Sequence, residues 1–250
     1  MEGEYLERIM ATCLAALRIA PLFAFSAPFT LIRVPGLVRG TLVVALAAAL
    51  VGLAAGKSNM GWQGSFVAAA ASELTVGIAM ALVLQLAFTV IAIAGRSLDI
   101  QAGFGLAFVV DPTTKAQMPL IGSLFTYAAA AIFFATDGPA DLLAVLAASF
   151  EALPLGAAIG PGAIQHVIAY LGVVSVLALG VAGLGSTVLL LIDLTVAMMS
   201  RTLPQMNMLV LGFQVKAIVA LLVLPATLSL AAGVMLSILR LAIEAMAGIV

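Results

Sequence analysis

The chain has 250 residues, of which 64% are hydrophobic and 8% charged, against roughly 25% charged in an ordinary soluble domain. That composition excludes a soluble globular protein and describes an integral membrane protein, which the continuous apolar runs below make all-α, nearly all of it in lipid or against other apolar chains. The formal net charge of -1 gives no basic field for nucleic acid, and the one cysteine, Cys13, excludes an intrachain disulfide and reads as a buried, inert thiol.

At the N-terminus Glu2, Glu4 and Glu7 stand against Arg8, opposite to the basic start of a secretory signal, so the first apolar segment is expected to be retained. Segment one runs from about Leu6 to Leu31, carries Arg18 inside it, and is expected to kink at Pro21 and Pro28. A short turn from Arg33 to Gly36, followed by Arg39, leads to a second run, Gly40 to Gly56, that ends at Lys57, Ser58 and Asn59. Segment three covers about Phe66 to Ala94, with Glu73 near its start.

Next comes the stretch Asp99 to Pro119, DIQAGFGLAFVVDPTTKAQMP, whose charges, glutamines, prolines and close glycines interrupt two uncharged runs. Lipid tolerates irregular backbone only where protein or water covers it, because an unpaired N–H or C=O in hydrocarbon costs several kcal/mol. The stretch therefore reads as an inward-facing loop lining a pathway. Gly103 and Gly105 free its backbone to turn, while Phe104, Leu106, Phe108, Val109 and Val110 give it apolar bulk. Such residues either seal a channel by excluding water or pack under a re-entrant turn; the residues themselves leave both open.

Segment four, Ala116 to Thr136, ends at the turn Asp137, Gly138, Pro139. Asp141 to Phe150 reads as an additional amphipathic or half-inserted helix, closed by Glu151 and Pro154. Segment five spans about Ala163 to Ile192 and segment six about Leu209 to Leu239, bent at Pro225, with Asp193 to Asn207 as their connection. The whole, residues 1–250, reads as one domain of about six helical segments, several of them kinked. Continuous apolar runs favour helices over a barrel, which would alternate with period two. Small residues recur every fourth position at Ala48, Gly52, Gly56 and at Ala178, Ala182, Ser186, a spacing that suits either partner docking or packing within the chain.

Signals of catalysis are nearly absent. The one histidine, His166, has no second histidine for a zinc site, and no phosphate-binding loop is present, so no enzyme activity, metal or cofactor is expected. Charges inside apolar segments persist where they face protein or water. Arg96 and Asp99, three residues apart, are placed to pair on one helical face, and Glu73, Asp193 and Arg201 are further candidates.

At the central loop the sequence resembles the FliR family, the flagellar type III export-gate subunit related to the SctT family of virulence secretion. Gly95, Gln101, Gly103, Asp111, Pro112 and Pro119 match that family's pattern in order and spacing, and Glu73 with Gly77 matches the opening of its third segment. Asp137 with Gly138, the turn Leu153, Pro154, Leu155, Gly156, and the signature Arg201, Pro204, Gln205, Met206, Asn207 followed by Gly212 and Phe213 match in turn. Two places depart from the pattern: Gln214 stands where proline is common, and Leu106 and Val109 stand where bulkier aromatics often occur.

The resemblance implies a multi-pass protein of the bacterial inner membrane and flagellar basal body. One copy would assemble with several FliP and FliQ subunits into a helical core of bent hairpins, with FlhB and FlhA nearby. It implies that Gly103, Phe104, Gly105, Leu106, Ala107, Phe108, Val109 and Val110 plug the closed channel, framed by Gln101, Asp111, Pro112 and Pro119, and that unfolded flagellar proteins pass when the plug moves. The competing readings are the equivalent subunit of a virulence system, a secondary transporter, which would show matching broken helices in an internal repeat, and an intramembrane hydrolase.

Overall fold

The computed structural model describes residues 2–31, 34–54, 65–104, 119–202 and 208–249. Among the described residues there are eight helices and no strand: α1 (Glu2–Phe25), α2 (Ala27–Leu31), α3 (Gly36–Ala54), α4 (Phe66–Gln101), α5 (Leu120–Ala135), α6 (Gly138–Ala152), α7 (Gly162–Thr202) and α8 (Met208–Ala247). The all-α architecture and the order of the apolar segments are those expected. Segment one breaks at Ser26, where the Leu22 carbonyl accepts the last backbone bond from Ser26 N–H and the Ser26 carbonyl starts the next turn through Phe29 and Thr30.

Three helices run further than their apolar stretches. α4 continues past Ala94 through Arg96 and Asp99 to Gln101, so the first part of the expected loop is helical, and α7 continues past Ile192 and Asp193 to Thr202. α8 passes through Pro225 and ends at Ala247. A charge does not stop a helix; it only marks where the sequence stops being purely apolar. At 1.5 Å per residue the 36, 41 and 40 residues of α4, α7 and α8 extend about 54, 61 and 60 Å, roughly twice the ~30 Å hydrocarbon core. Among the described residues four helices are long and apolar enough to cross a membrane, up to five if the bent pair α5 and α6 counts as one span, while Gly36–Gly52 is apolar but shorter.

The chain divides into two compact units. The first comprises Met1–Ala87, Phe133–Gly172 and Leu239–Val250. Its core is built from Leu14, Ile19 and Leu22 of α1, Val43, Ala47 and Val51 of α3, Val76, Met80 and Leu84 of α4, and Leu142 and Leu146 of α6, all buried. Gly77 lets α4 lie against the Arg18 carbonyl of α1, where a Cβ would collide with backbone. Phe29 closes one corner, edge-on to Phe133 and Phe134 at 6.4 and 6.2 Å. Cys13, expected inside, is exposed on α1, because the buried stripe of that helix runs through Leu14, Arg18 and Leu22.

The second unit comprises Phe88–Ile132 and Val173–Ile238. Its core contains Ile91 and Leu98 of α4, Ile121 and Phe125 of α5, Val181 and Leu189 of α7, and Met235 and Ile238 of α8. The two small-residue stripes part company. Ala182 is buried and Ser186 half-buried inside this unit, whereas Ala48 and Gly52 in the first unit are exposed, with Gly56 outside the described residues.

Candidate functional site

The root of the central loop is built by residues of the second unit. Asp99 sits in the last turn of α4, 1% exposed. Its carboxylate oxygens accept hydrogen bonds from the backbone N–H groups of Ile121 at 2.9 Å and Gly122 at 3.0 Å. Those are first-turn donors of α5, which have no partner inside their own helix, so Asp99 caps α5 from another helix and meets its positive end with negative charge. The expected pair with Arg96 does not form: Arg96 is exposed, and the Asp99 oxygens serve the backbone instead.

Contact this close between α4 and α5 requires glycine. A Cβ on Gly95 would lie 2.7 Å from the Gly122 Cα, a distance at which backbone meets backbone. Beyond Asp99 the chain leaves the helix at Gly103 with φ +85, a conformation that favours glycine. A Cβ there would also lie 2.7 Å from Cδ1 of Phe213 on α8. Gln101 donates from Nε2 to the Ser186 hydroxyl of α7 at 3.4 Å. At the far root the Pro119 carbonyl accepts from Ser123 N–H at 2.9 Å and from its hydroxyl at 2.6 Å.

Of the residues singled out in the sequence, the structure gathers Gln101, Gly103 and Phe104 at one root and Pro119 at the other. Gly105, Leu106, Ala107, Phe108, Val109, Val110, Asp111 and Pro112 lie outside the described residues, as do Pro204, Gln205 and Asn207. Arg201 is exposed in the last turn of α7. Asp193 pairs with Lys216 across α7 and α8, a partner that the sequence reading had not named.

The first unit holds a second polar constellation, around Glu73. Arg18 Nε and a terminal nitrogen donate to its two carboxylate oxygens at 2.6 and 2.9 Å, with both side chains fully buried. The remaining guanidinium N–H groups reach the Ser149 carbonyl at 2.8 Å, the Ser149 hydroxyl at 3.3 Å and the Leu153 carbonyl at 2.9 Å. Gly156 N–H donates to Glu73 Oε1 at 2.8 Å. The Phe150 ring lies 4.3 Å from the guanidinium carbon and stacks a cation–π contact on it. Every polar atom of the pair thus has a partner, the condition under which a buried ion pair is tolerated; removing one member alone costs on the order of 3–5 kcal/mol.

Glu73 stands out in the sequence, but its partner does not follow from local spacing. The available signal was Arg18, a charge in the middle of an apolar segment, which persists only where protein answers it. Two pairs of matched motifs therefore meet in space, Glu73 with Gly156 and Gly103 with Phe213, while the matched Gly95 meets Gly122, which belongs to none of them. Among the described residues no cluster of three His, Cys, Asp or Glu side chains is placed to hold a metal ion.

Residues 9–242 match the family described as Bacterial export proteins, family 1. The chain is 31% identical over 180 residues to the flagellar biosynthetic protein FliR of Bacillus subtilis, a match covering 70% of this chain and 69% of the relative. It is 26% identical over 164 residues to the flagellar biosynthetic protein FliR of Escherichia coli, covering 65% and 63%. To the surface presentation of antigens protein SpaR of Shigella flexneri it is 24% identical over 152 residues, covering 61% and 59%. The alignments with the second and third of these relatives thus span less than two thirds of their length.

Proposed function

The chain belongs to the bacterial export proteins, family 1, a family of protein export and not of enzymes, and on that premise we propose that it is a channel-forming subunit of the flagellar type III export gate. Acting as a single domain in the bacterial inner membrane at the flagellar basal body, it helps unfolded flagellar subunits cross. The observation that carries this reading is the match over residues 9–242, reinforced by relatives named for flagellar biosynthesis at 26 and 31% identity.

The partners in this reading are FliP and FliQ homologues in a hetero-oligomeric core, with FlhB and FlhA homologues adjoining. The apolar stretches of α7 and α8 are only 22% buried by this chain, against 56% for that of α4. Their exposed Ile168, Val176, Leu179, Leu222 and Leu230 need lipid or other apolar chains around them. Helices of about 60 Å suit bent hairpins in an assembly better than plain spans.

The loop from Gly103 to Val110 is the plug in this reading. Its support is the sequence pattern and the close packing of its root: a capped helix start, a glycine crossing and Phe213 against Gly103. The test is native mass spectrometry of the chain co-expressed with its genomic neighbours, together with membrane conductance of an assembled variant lacking residues 103–110. One copy of this chain with several copies of two smaller hydrophobic proteins, and an ion leak in the variant, is the expected result. A monomer beside unbound neighbours overturns the gate reading, and unchanged conductance in a correctly assembled variant overturns the plug alone. Loss of motility with intact effector secretion in a disrupted host separates the flagellar role from the virulence one.

A further inference from the structure

We propose that Arg18 and Glu73 form a buried polar pin that positions the last turn of α6, through its buried Ser149, and the turn Leu153–Gly156, with the guanidinium serving as that helix's cap. α6 has 15 residues, about 22 Å at 1.5 Å per residue, too short to cross ~30 Å of hydrocarbon. The last carbonyls of a helix have no intrahelical donors, and where packing covers them, as at buried Ser149, a protein donor has to take the place of water. Ser149 O accepts from Leu153 N–H at the end of α6 and also from Arg18; Leu153 O accepts from Arg18. The negative end of the helix dipole faces a fixed cation, and Glu73 neutralises that cation while holding the turn through Gly156 N–H.

The five N–H groups of an arginine are all engaged here in fixed directions, which a lysine with three donors on one atom does not reproduce. The pin is therefore specific for a guanidinium. Two apolar residues of similar volume would remove both charges at once, yet would leave Leu153 O and Gly156 N–H without their partners. The inference concerns the fold of this chain and holds whether or not the loop after α4 is a plug.

The test uses the full chain co-expressed with its neighbours, in a Cys13→Ser background carrying Leu155→Cys as a local reporter of thiol labelling. Arg18→Ala is expected to speed labelling at the turn by roughly tenfold or more, as local opening does when a buried network is broken. Millimolar guanidinium is expected to return the rate toward that of the parent. Arg18→Lys and Arg18→Leu/Glu73→Leu are expected to stay fast with or without it. Should Arg18→Ala fail to accumulate, recovery of its level by guanidinium during growth is the same result in another readout. Parent-like labelling in Arg18→Lys, parent-like labelling in the double leucine variant, or no guanidinium effect on Arg18→Ala in either rate or level overturns the pin.

Discussion

The carboxylate of Asp99 and the backbone N–H of Gly122 meet at 3.0 Å across the junction of α4 and α5, 23 residues apart in sequence. A single buried side chain thereby ties the helix that leads into the central loop to the helix that leads out of it. Asp99→Asn keeps one acceptor oxygen but turns an amide NH2 toward a backbone N–H, leaving a buried donor unsatisfied. The expected cost is about 1–3 kcal/mol, read as a lower thermal midpoint of the purified assembly, with Asp99→Ala at least as severe.

Gly95 and Gly52 give opposite outcomes for the same substitution. Gly95→Ala drives a Cβ into the Gly122 backbone at 2.7 Å, and neither helix has a flexible group that can yield. A loss of roughly 1–3 kcal/mol is expected. Gly52→Ala meets nothing within 4 Å in this chain and raises helix propensity, so the isolated chain gains up to ~1 kcal/mol. If Gly52→Ala nonetheless reduces recovery of the assembly, the exposed Ala48–Gly52 face docks a partner; thermal unfolding of the chain alone and co-purification separate the two effects.

Gly103→Ala carries two penalties, the positive φ of +85 and the contact with Phe213. The backbone part alone is about 1–2 kcal/mol. Adding Phe213→Ala relieves only the contact, so a double-mutant cycle is expected to show coupling between the two positions while the backbone penalty remains. Strict additivity would mean that the ring does not press on Gly103.

Lys216 is largely covered and its partner Asp193 is half-exposed, on helices that are predominantly apolar. A carboxylate left bare in hydrocarbon costs roughly 2.5–3.5 kcal/mol, whereas one in water loses little with its partner. Lys216→Met in lipid nanodiscs is expected to cost less than about 1 kcal/mol, placing Asp193 against water or protein. A loss near 3 kcal/mol would put the pair in the lipid.

Composition and apolar run lengths by themselves determined that this is a helical membrane protein with its segments in this order. Uncharged runs of about twenty residues have few other stable forms in lipid, where backbone groups must pair within the segment. The ordered motifs around Gly103, Glu73 and Arg201 also pointed to the export family before any contact was known. Sequence did not fix where α4 and α7 end, because Arg96, Asp99 and Asp193 break hydrophobicity without breaking helical hydrogen bonding. Nor did it fix partners. Asp99 had a cation three residues away, yet tertiary structure brought it two unpaired N–H groups from Ile121 and Gly122. Arg18 found Glu73 across 55 residues, because a buried charge is held by whatever complementary groups the packing of distant helices delivers, and local spacing does not encode that delivery.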